Sequence, residues 1–304
     1  VEPELTLSVI VSCYKQEAYI ADCLHSILNQ QVDFDYEIIV SDDCSPDSTP
    51  LIIEEIACAH PEKFKLFLNK VNVGAAKNYM SAHKRAKGKY VAHIDGDDIM
   101  LPGKLQAEVD VMENNSDCNI VFHRSRYFND DRTYESDTGK LFSAPLVVIS
   151  PQQLARWGTI AAHGTYMYRR SARKTIEFKQ EFMEWFFAFE FVADGGVAAY
   201  INTIYLDYRC NPSGSAYLAS RAGRAKSYGI IIKHVSDYFE QYPQFRADLY
   251  AHQLVNIAMS FKNDHKLSWN SFSFLAKNIA YFRLSKFVET IKVRSMVGPA
   301  VKIR

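Results

Sequence analysis

The sequence predicts an α/β protein, with a mostly parallel sheet flanked by helices and a helical C-terminal extension. Three observations carry this. Short apolar runs alternate with helix-period segments through the first half of the chain. Acidic or hydroxyl residues stand directly after those runs. Beyond Pro212 the strand signals stop and helical ones take over.

Leu7–Ser12 is an apolar run suited to a buried strand. Behind it Ile20, Cys23, Leu24, Ile27 and Leu28 recur at three and four residues, forming one helical stripe. Tyr36–Ser41 is a second buried strand. Asp47, Ser48 and Thr49 then start a helix with Pro50 in its tolerated first turn. Phe64–Asn69 reads as strand and Gly74–Ala86 as helix. Tyr90–Ile94 is a fourth strand that runs straight into Asp95-Gly96-Asp97-Asp98. A helix led by Pro102 extends to about Asn114, and Asn119–Phe128 is a fifth strand. Asn129–Ser150 has turn signals and predicts a loop or small hairpin. Gly164–Arg169 reads as strand, Glu181–Ala193 as an aromatic-rich helix stopped at Gly195-Gly196, and Val197–Arg209 as strand again. Helices are expected across 220–240, 244–262 and 270–290, with a domain boundary near 212.

The 304 residues, 48% hydrophobic and 23% charged, suit one large domain or a domain with an appendage. Basic and acidic residues balance at 35 each, so no global field recruits nucleic acid. The balance breaks locally. From Ala276 onward Lys277, Arg283, Lys286, Lys292, Arg294, Lys302 and Arg304 face one acid, Glu289. The six cysteines show no C-x-x-C pair and no zinc spacing, which predicts reduced, buried thiols. No leader-like start and no apolar run near the ~18 residues of a membrane span are apparent, so a cytoplasmic protein is expected.

In parallel sheets, ligands bind outside the carboxyl ends of the strands. Ser12, Asp42, Asp43, Asp95, Asp97 and Asp98 stand there. Hard divalent cations take oxygen ligands and keep positions for substrate phosphates, and carboxylates on a tight turn such as Asp95-Gly96-Asp97-Asp98 supply them. A carboxylate at Asp42-Asp43 can accept from a pyrimidine imide or a ribose hydroxyl. Either pair can equally be read as an acidic turn that caps the following helix.

Together these segments resemble the family 2 glycosyltransferases of the GT-A fold, a Rossmann-like architecture, in their bacterial, inverting form. The match runs through Val9-Ile10-Val11-Ser12-Cys13-Tyr14, Ile38-Ile39-Val40-Ser41-Asp42-Asp43-Cys44-Ser45 and Asn72-Val73-Gly74-Ala75-Ala76-Lys77-Asn78. It closes with Gly88-Lys89-Tyr90-Val91-Ala92-His93-Ile94-Asp95-Gly96-Asp97-Asp98 and Leu101-Pro102. Roughly residues 5–125 are covered. Three positions depart from the family pattern: Ser12 stands for its usual Pro, Lys15 for Asn and Lys77 for Arg.

The resemblance implies a domain over 1–212, with a nucleotide-sugar half at about 5–125 and an acceptor half at about 126–212. Residues 213–304 form a helical region with a basic amphipathic tail. It implies transfer of a sugar from a nucleoside-diphosphate donor, a UDP-sugar by preference, to the hydroxyl of a lipid-linked or surface-polysaccharide saccharide. Ser12, Tyr14, Asp42, Lys77, Asn78, Asp95 and Arg209 would hold the donor. Tyr14 would lie near the base and Asp42 on its imide. Asp97, with Asp95, would ligate Mn2+ or Mg2+, and Asp98 would support them. Tyr14 as a strand-end aromatic and Asn78 as a helix-surface residue are equally open.

Inverting transfer needs a carboxylate to take the acceptor's proton. Phe182-Met183-Glu184-Trp185-Phe186-Phe187 looks like the family's base segment, which makes Glu184 the candidate and Glu181, Glu190 and Asp194 the fallbacks. Tyr208-Arg209 resembles a segment whose cation approaches the diphosphate, although Asn211 stands where His is common. A lone His163 is expected to be structural. The C-terminal tail predicts peripheral contact with the inner face of a membrane. Two other classes stay in play: a nucleotidyltransferase, against which the missing glycine-rich loop after the first strand argues, and a non-catalytic nucleotide-sugar-binding or scaffolding domain.

Overall fold

The computed structural model describes residues 5–129, 134–137, 141–158, 160–173, 187–210, 221–264 and 268–297. Strand and crossover helix alternate through β1 (Leu7–Cys13), α1 (Ile20–Leu28), β2 (Tyr36–Asp42), α2 (Thr49–Ala59), β3 (Phe64–Leu68), α3 (Ala75–His83) and β4 (Tyr90–Asp95). Next come the two-residue β5 (Ile99–Met100), α4 (Lys104–Asn114), β6 (Cys118–Phe128), β7 (Tyr134–Asp137), β8 (Leu146–Ile149) and α5 (Pro151–Trp157). A 3-10 turn at His163–Thr165 leads into β9 (Met167–Arg169), followed by α6 (Phe187–Glu190) and β10 (Val197–Arg209). The chain ends in α7 (Arg221–Gln241), α8 (Arg246–Asp264), α9 (Trp269–Lys277) and α10 (Leu284–Val297).

The sheet order is β3-β2-β1-β4-β9-β6-β10-β5. β1 pairs in parallel with β2 and β4, β2 with β3, and β6 with β10, while β9 runs antiparallel between β4 and β6. β7 pairs antiparallel with β6, and β8 antiparallel with β10.

Period-two alternation divides the strand side chains between two cores. Leu7, Val9, Val11, Ile38, Val40, Tyr90, Ala92 and Ile94 join the α1, α2 and α4 side, with Leu24, Ile27, Ile53 and Leu105. Ile10, Ile39, Val91, Ile120 and Phe122 face the opposite way, toward α3, α5 and the C-terminal helices. Truncating a fully buried residue such as Leu24 to alanine would cost about 2–5 kcal/mol. Tyr238, Phe239, Leu249, Tyr250 and Val293 belong to that second core, so α7, α8 and α10 are continuous with the sheet. Asp248 ties them to α5, taking Arg156 at 3.2 Å and Lys286 at 2.6 Å.

Behind α4 lies a charged group with no access to solvent. Lys104 Nζ donates to Glu108 Oε2 at 2.8 Å, and His123 Nε2 stands 3.8 Å from Glu108 Oε1, all 0% exposed. Burial lifts the Glu108 carboxyl to about 7 against the pull of Lys104.

Elsewhere the structure corrects the sequence reading. The helix expected over Glu181–Ala193 is, within the described residues, only Phe187–Glu190. Phe189, Phe191, Val192 and Ala193 are all buried, and Val192 and Gly195 close four-residue turns that draw the segment into the core. The helix expected over 270–290 breaks at Asn278, whose side-chain amide and backbone N–H both donate to the Phe274 carbonyl, at 2.9 and 3.1 Å. A 3-10 turn at Ile279–Tyr281 follows. Gly164 and Thr165, expected in a strand, lie in a 3-10 turn. No described helix is long and apolar enough to cross a membrane.

Candidate active site

The register of β1 lines up the site. Asp42 lies opposite Cys13 on one side and Asp95 opposite Ser12 on the other. Both strands run parallel to β1, so both acids emerge at the carboxyl edge, two strand spacings or roughly 10 Å apart. The turns lock to β1 itself: Asp43 N–H donates to the Cys13 carbonyl and Gly96 N–H to the Ser12 carbonyl, each at 3.0 Å. Gly96 packs closely against β1 and α1: a Cβ there would meet Gln16 Oε1 at 2.3 Å and Ile20 Cδ1 at 2.8 Å, so both side-chain ends would have to move.

At the first acidic pair the carboxylates serve the protein's own backbone. Asp43 accepts from the N–H groups of Val73 (2.8 Å) and Gly74 (2.9 Å) and from Asn69 Nδ2 (3.2 Å). Asp42, 1% exposed, accepts from Ser45 N–H at 2.8 Å, from the Ser45 hydroxyl and from the Cys13 thiol at 3.7 Å. Burial, then the Asp42 charge, pushes that thiol well above its ordinary pKa. Two non-glycine residues beside the pair adopt left-handed backbone, Lys15 at φ 57° and Cys44 at φ 62°. Lys15 N–H donates to Ser45 Oγ at 2.9 Å, which interlocks the two turns.

The second pair is held differently. The Asp95 side chain is 40% exposed and accepts from or faces His93 Nε2 at 3.2 Å. Desolvation raises its pKa, but the hydrogen bond and charge of His93 outweigh that and leave it lowered. Asp98 is 1% exposed; Oδ1 accepts from Arg209 N–H at 2.9 Å, and Oδ2 is buried without a hydrogen-bond partner among the described residues. Burial, reinforced by the charges of Asp97 and Asp95, drives its pKa well up. Arg209 Nε donates to the Asp97 carbonyl at 2.9 Å, with its guanidinium between the rings of Tyr19 (4.2 Å) and Phe128 (4.4 Å). Ser12 Oγ and Gln16 Oε1 are also buried at this rim, with no hydrogen-bond partner among the described residues. Asp95, with its exposed carboxylate, is a group that could offer oxygen to a hard divalent cation, and Asp97 follows two residues along the same turn.

Behind Asp95 lies an aromatic and imidazole cluster. His83 Nδ1 is 2.7 Å from the Tyr168 hydroxyl, His83 Nε2 is 3.1 Å from His93 Nδ1, and Arg173 donates to that same hydroxyl at 2.8 Å. His163 Nε2 is 3.2 Å from the Tyr79 hydroxyl. Burial, then the neighbouring His93, pushes His163 down to about 3 and His83 well below its ordinary value.

Of the residues singled out from the sequence, Ser12, Asp42, Asp95, Asp97, Asp98 and Arg209 converge at this rim. Tyr14, 42% exposed, stands just beyond β1, and Lys77 is exposed on the first turn of α3. Asn78 is buried behind the rim, its amide held by Ser41 and Asn69. Glu184 and Glu181 lie outside the described residues. Glu190 accepts from the Tyr238 hydroxyl under the C-terminal helices, and Asp194 is exposed in a turn. The histidine cluster and Gln16 are what sequence reasoning missed. Period two along β4 puts His93 on the face of Asp95 and was a usable signal; His83 and His163 come from other elements.

Comparison with known proteins agrees with this architecture. An uncharacterised protein of Mycobacterium tuberculosis is 33% identical over 132 residues, covering 43% of this chain and 38% of that protein. EpsE of Bacillus subtilis, which carries the name of a glycosyltransferase, is 31% identical over 173 residues, 56% of this chain and 59% of its own. The chain thus spans less than two thirds of either relative. The crystal structure of Staphylococcus aureus TarS 1–349 in complex with UDP-GlcNAc superposes with a TM-score of 0.68 at 18% identity, covering 96% of this chain and 91% of that one. TarS is a GT-A glycosyltransferase, so the fold is of that type. Glycosyl transferase family 2 matches residues 8–176, more than half of the chain, and it is to this family that the protein belongs.

Proposed function

We propose that the protein transfers a sugar from a nucleoside-diphosphate donor, a UDP-sugar by preference, to the hydroxyl of a lipid-linked or surface-polysaccharide saccharide. The carrying observation is the β1 register, which sets Asp42 and Asp95 on one rim with Arg209 closing its far side. Family membership and the likeness to a structure holding UDP-GlcNAc support the donor class.

In this reading Tyr14 flanks the base, Asp42 orients the nucleoside, and Lys77 approaches the donor from α3. Asn78 steadies the rim through Ser41. Asp97 and Asp95 hold Mn2+ or Mg2+, which when bound neutralises the diphosphate. Arg209 adds a fixed positive charge beside the same turn. Glu184 takes the proton from the acceptor hydroxyl as its oxygen attacks the anomeric carbon opposite the diphosphate, giving inversion. Residues 1–212 form the catalytic unit in this proposal and 213–304 a helical extension.

The deciding experiment measures donor turnover and donor binding for Asp97→Ala, and for the wild type after chelation. Turnover should fall on the order of 10³-fold in both, the scale of several kcal/mol of charge stabilisation. Insensitivity to both would leave the non-catalytic scaffold as the better reading.

Peripheral membrane contact belongs to the same proposal. On α10 Leu284 (65% exposed), Val288 (55%) and Ile291 (47%) are open to solvent. The positive face is thinner than the sequence suggests, because Lys286 pairs with Asp248 and Arg294 reaches back to His252 at 3.3 Å. Val293 anchors α10 in the core, so substitution tests the idea better than deletion. Aspartate at 284, 288 and 291 should move the protein from membrane to soluble fractions, and an unchanged distribution rejects the contact.

A further inference from the structure

We propose that His93 and His163 join Asp95 in a nitrogen-containing metal site, so that this cleft selects Mn2+, or a later transition ion, over Mg2+. The inference rests on the cation reading above and names the ion's additional ligands. One ligand atom from each of the three side chains lies within 4.8 Å of the others. His93 is 1% exposed and His163 8%, whereas the Asp95 side chain is 40% exposed. Two walled imidazoles and one accessible carboxylate thus meet at the inner end of the rim.

The outer contacts fit this role. A ligating histidine normally uses its second ring nitrogen in a hydrogen bond that fixes tautomer and orientation. His93 Nδ1 meets His83 Nε2 at 3.1 Å, which leaves Nε2 for the ion on the Asp95 side. His163 Nε2 meets the Tyr79 hydroxyl at 3.2 Å, so Nδ1 is its ligating atom. The second layer is itself held, through His83 to Tyr168 and from Tyr168 to Arg173. Imidazole suits first-row transition ions, whereas Mg2+ prefers oxygen and keeps its water. Asp97 stands two residues along the same turn. If instead the cluster only orients Asp95, His93 Nε2–H donates to the carboxylate and no nitrogen ever touches an ion.

The two arrangements separate without measuring turnover. The full chain is stripped with chelator, and MnCl2 and MgCl2 are titrated separately by calorimetry in the absence of donor. The bound Mn2+ is then examined by pulsed EPR for 14N coupling. Mn2+ should bind at least about 10-fold tighter than Mg2+ and show histidine nitrogen. His163→Gln should weaken Mn2+ by about 10-fold or more and reduce the 14N signal, with Mg2+ little changed; its metal-free thermal midpoint controls for folding. Tyr79→Phe keeps every ligand and should still weaken Mn2+, by up to about 10-fold, through the lost outer hydrogen bond. Bound Mn2+ without 14N coupling, or unchanged affinity in both variants, overturns the proposal. Should that oxygen-only Mn2+ disappear in Asp97→Ala, the cation reading stands alone; if neither ion binds the wild type, both readings fall.

Discussion

Asp42-Asp43 and Asp95–Asp98 leave strands on either side of β1 at the same edge of the sheet, and the fold treats them in opposite ways. Asp43 is saturated by two backbone N–H groups and an amide, and Asp42 is shut in by Ser45 and Cys13. Asp95 keeps an accessible carboxylate, and Asp98 keeps a buried oxygen with no hydrogen-bond partner among the described residues. The first pair turns most of its lone pairs inward to the protein, while Asp95 keeps a carboxylate that something from outside can reach. A carboxylate motif is therefore judged by where its lone pairs go.

The sharpest way to break this contrast is to exchange the expected losses. Asp95→Asn should lower kcat by roughly 10³-fold, about 4 kcal/mol, with little change in the thermal midpoint. A loss of folding instead would make Asp95 another residue that serves the fold. Asp43→Ala should do the reverse. Three hydrogen bonds to a charged acceptor, at ~1.5 kcal/mol each at the lower end, disappear, so urea unfolding should show a loss of about 4 kcal/mol. Donor binding measured well below the new midpoint should survive.

The next effect probes the buried charged group on α4. Folded Glu108, raised to about 7 from an ordinary 4.5, holds a proton that the unfolded chain releases at lower pH. Its contribution is complete below about pH 4.5 and is lost as pH climbs through 7. A displacement of that size corresponds to roughly 3 kcal/mol. Glu108→Gln should flatten that part of the stability profile between pH 5 and 8 in urea titrations, and an unaltered slope would refute the assignment.

The smallest effect lies at the first pair. Lys15 occupies left-handed backbone, which Asn tolerates better than other non-glycine residues. Lys15→Asn should raise stability by up to about 1 kcal/mol, read as a higher thermal midpoint.

Much of this was legible in the chain. Apolar runs and the acids following them placed β1, β2 and β4 to within a residue, because a strand buried on both faces has few ways to be written. Arg209 was singled out because Tyr208-Arg209 resembles a family segment, and the structure sets it at the end of β10 beside Asp97. The departure at Lys15 was visible as a residue change, but its cost was not, since φ is not written in composition. His83, His93 and His163 escaped because their meaning lies in the contact of three elements. Each alone is an ordinary buried imidazole. Asn278 shows the converse: the helix stops there, with side chain and backbone both bonded to Phe274, although hydrophobic periodicity would have continued it.

β9 is only three residues long, and among the described strands it alone joins the β3-β2-β1-β4 sector to the β6-β10-β5 sector. Each sector can gather its own contacts during folding, and the turn carrying Asp97 and Asp98 reaches Arg209 directly, but β4 and β6 are held side by side only once Met167–Arg169 has slotted between them. Assembly of the cleft should thus be a late event, and amides along that seam should exchange with solvent sooner than those of β1.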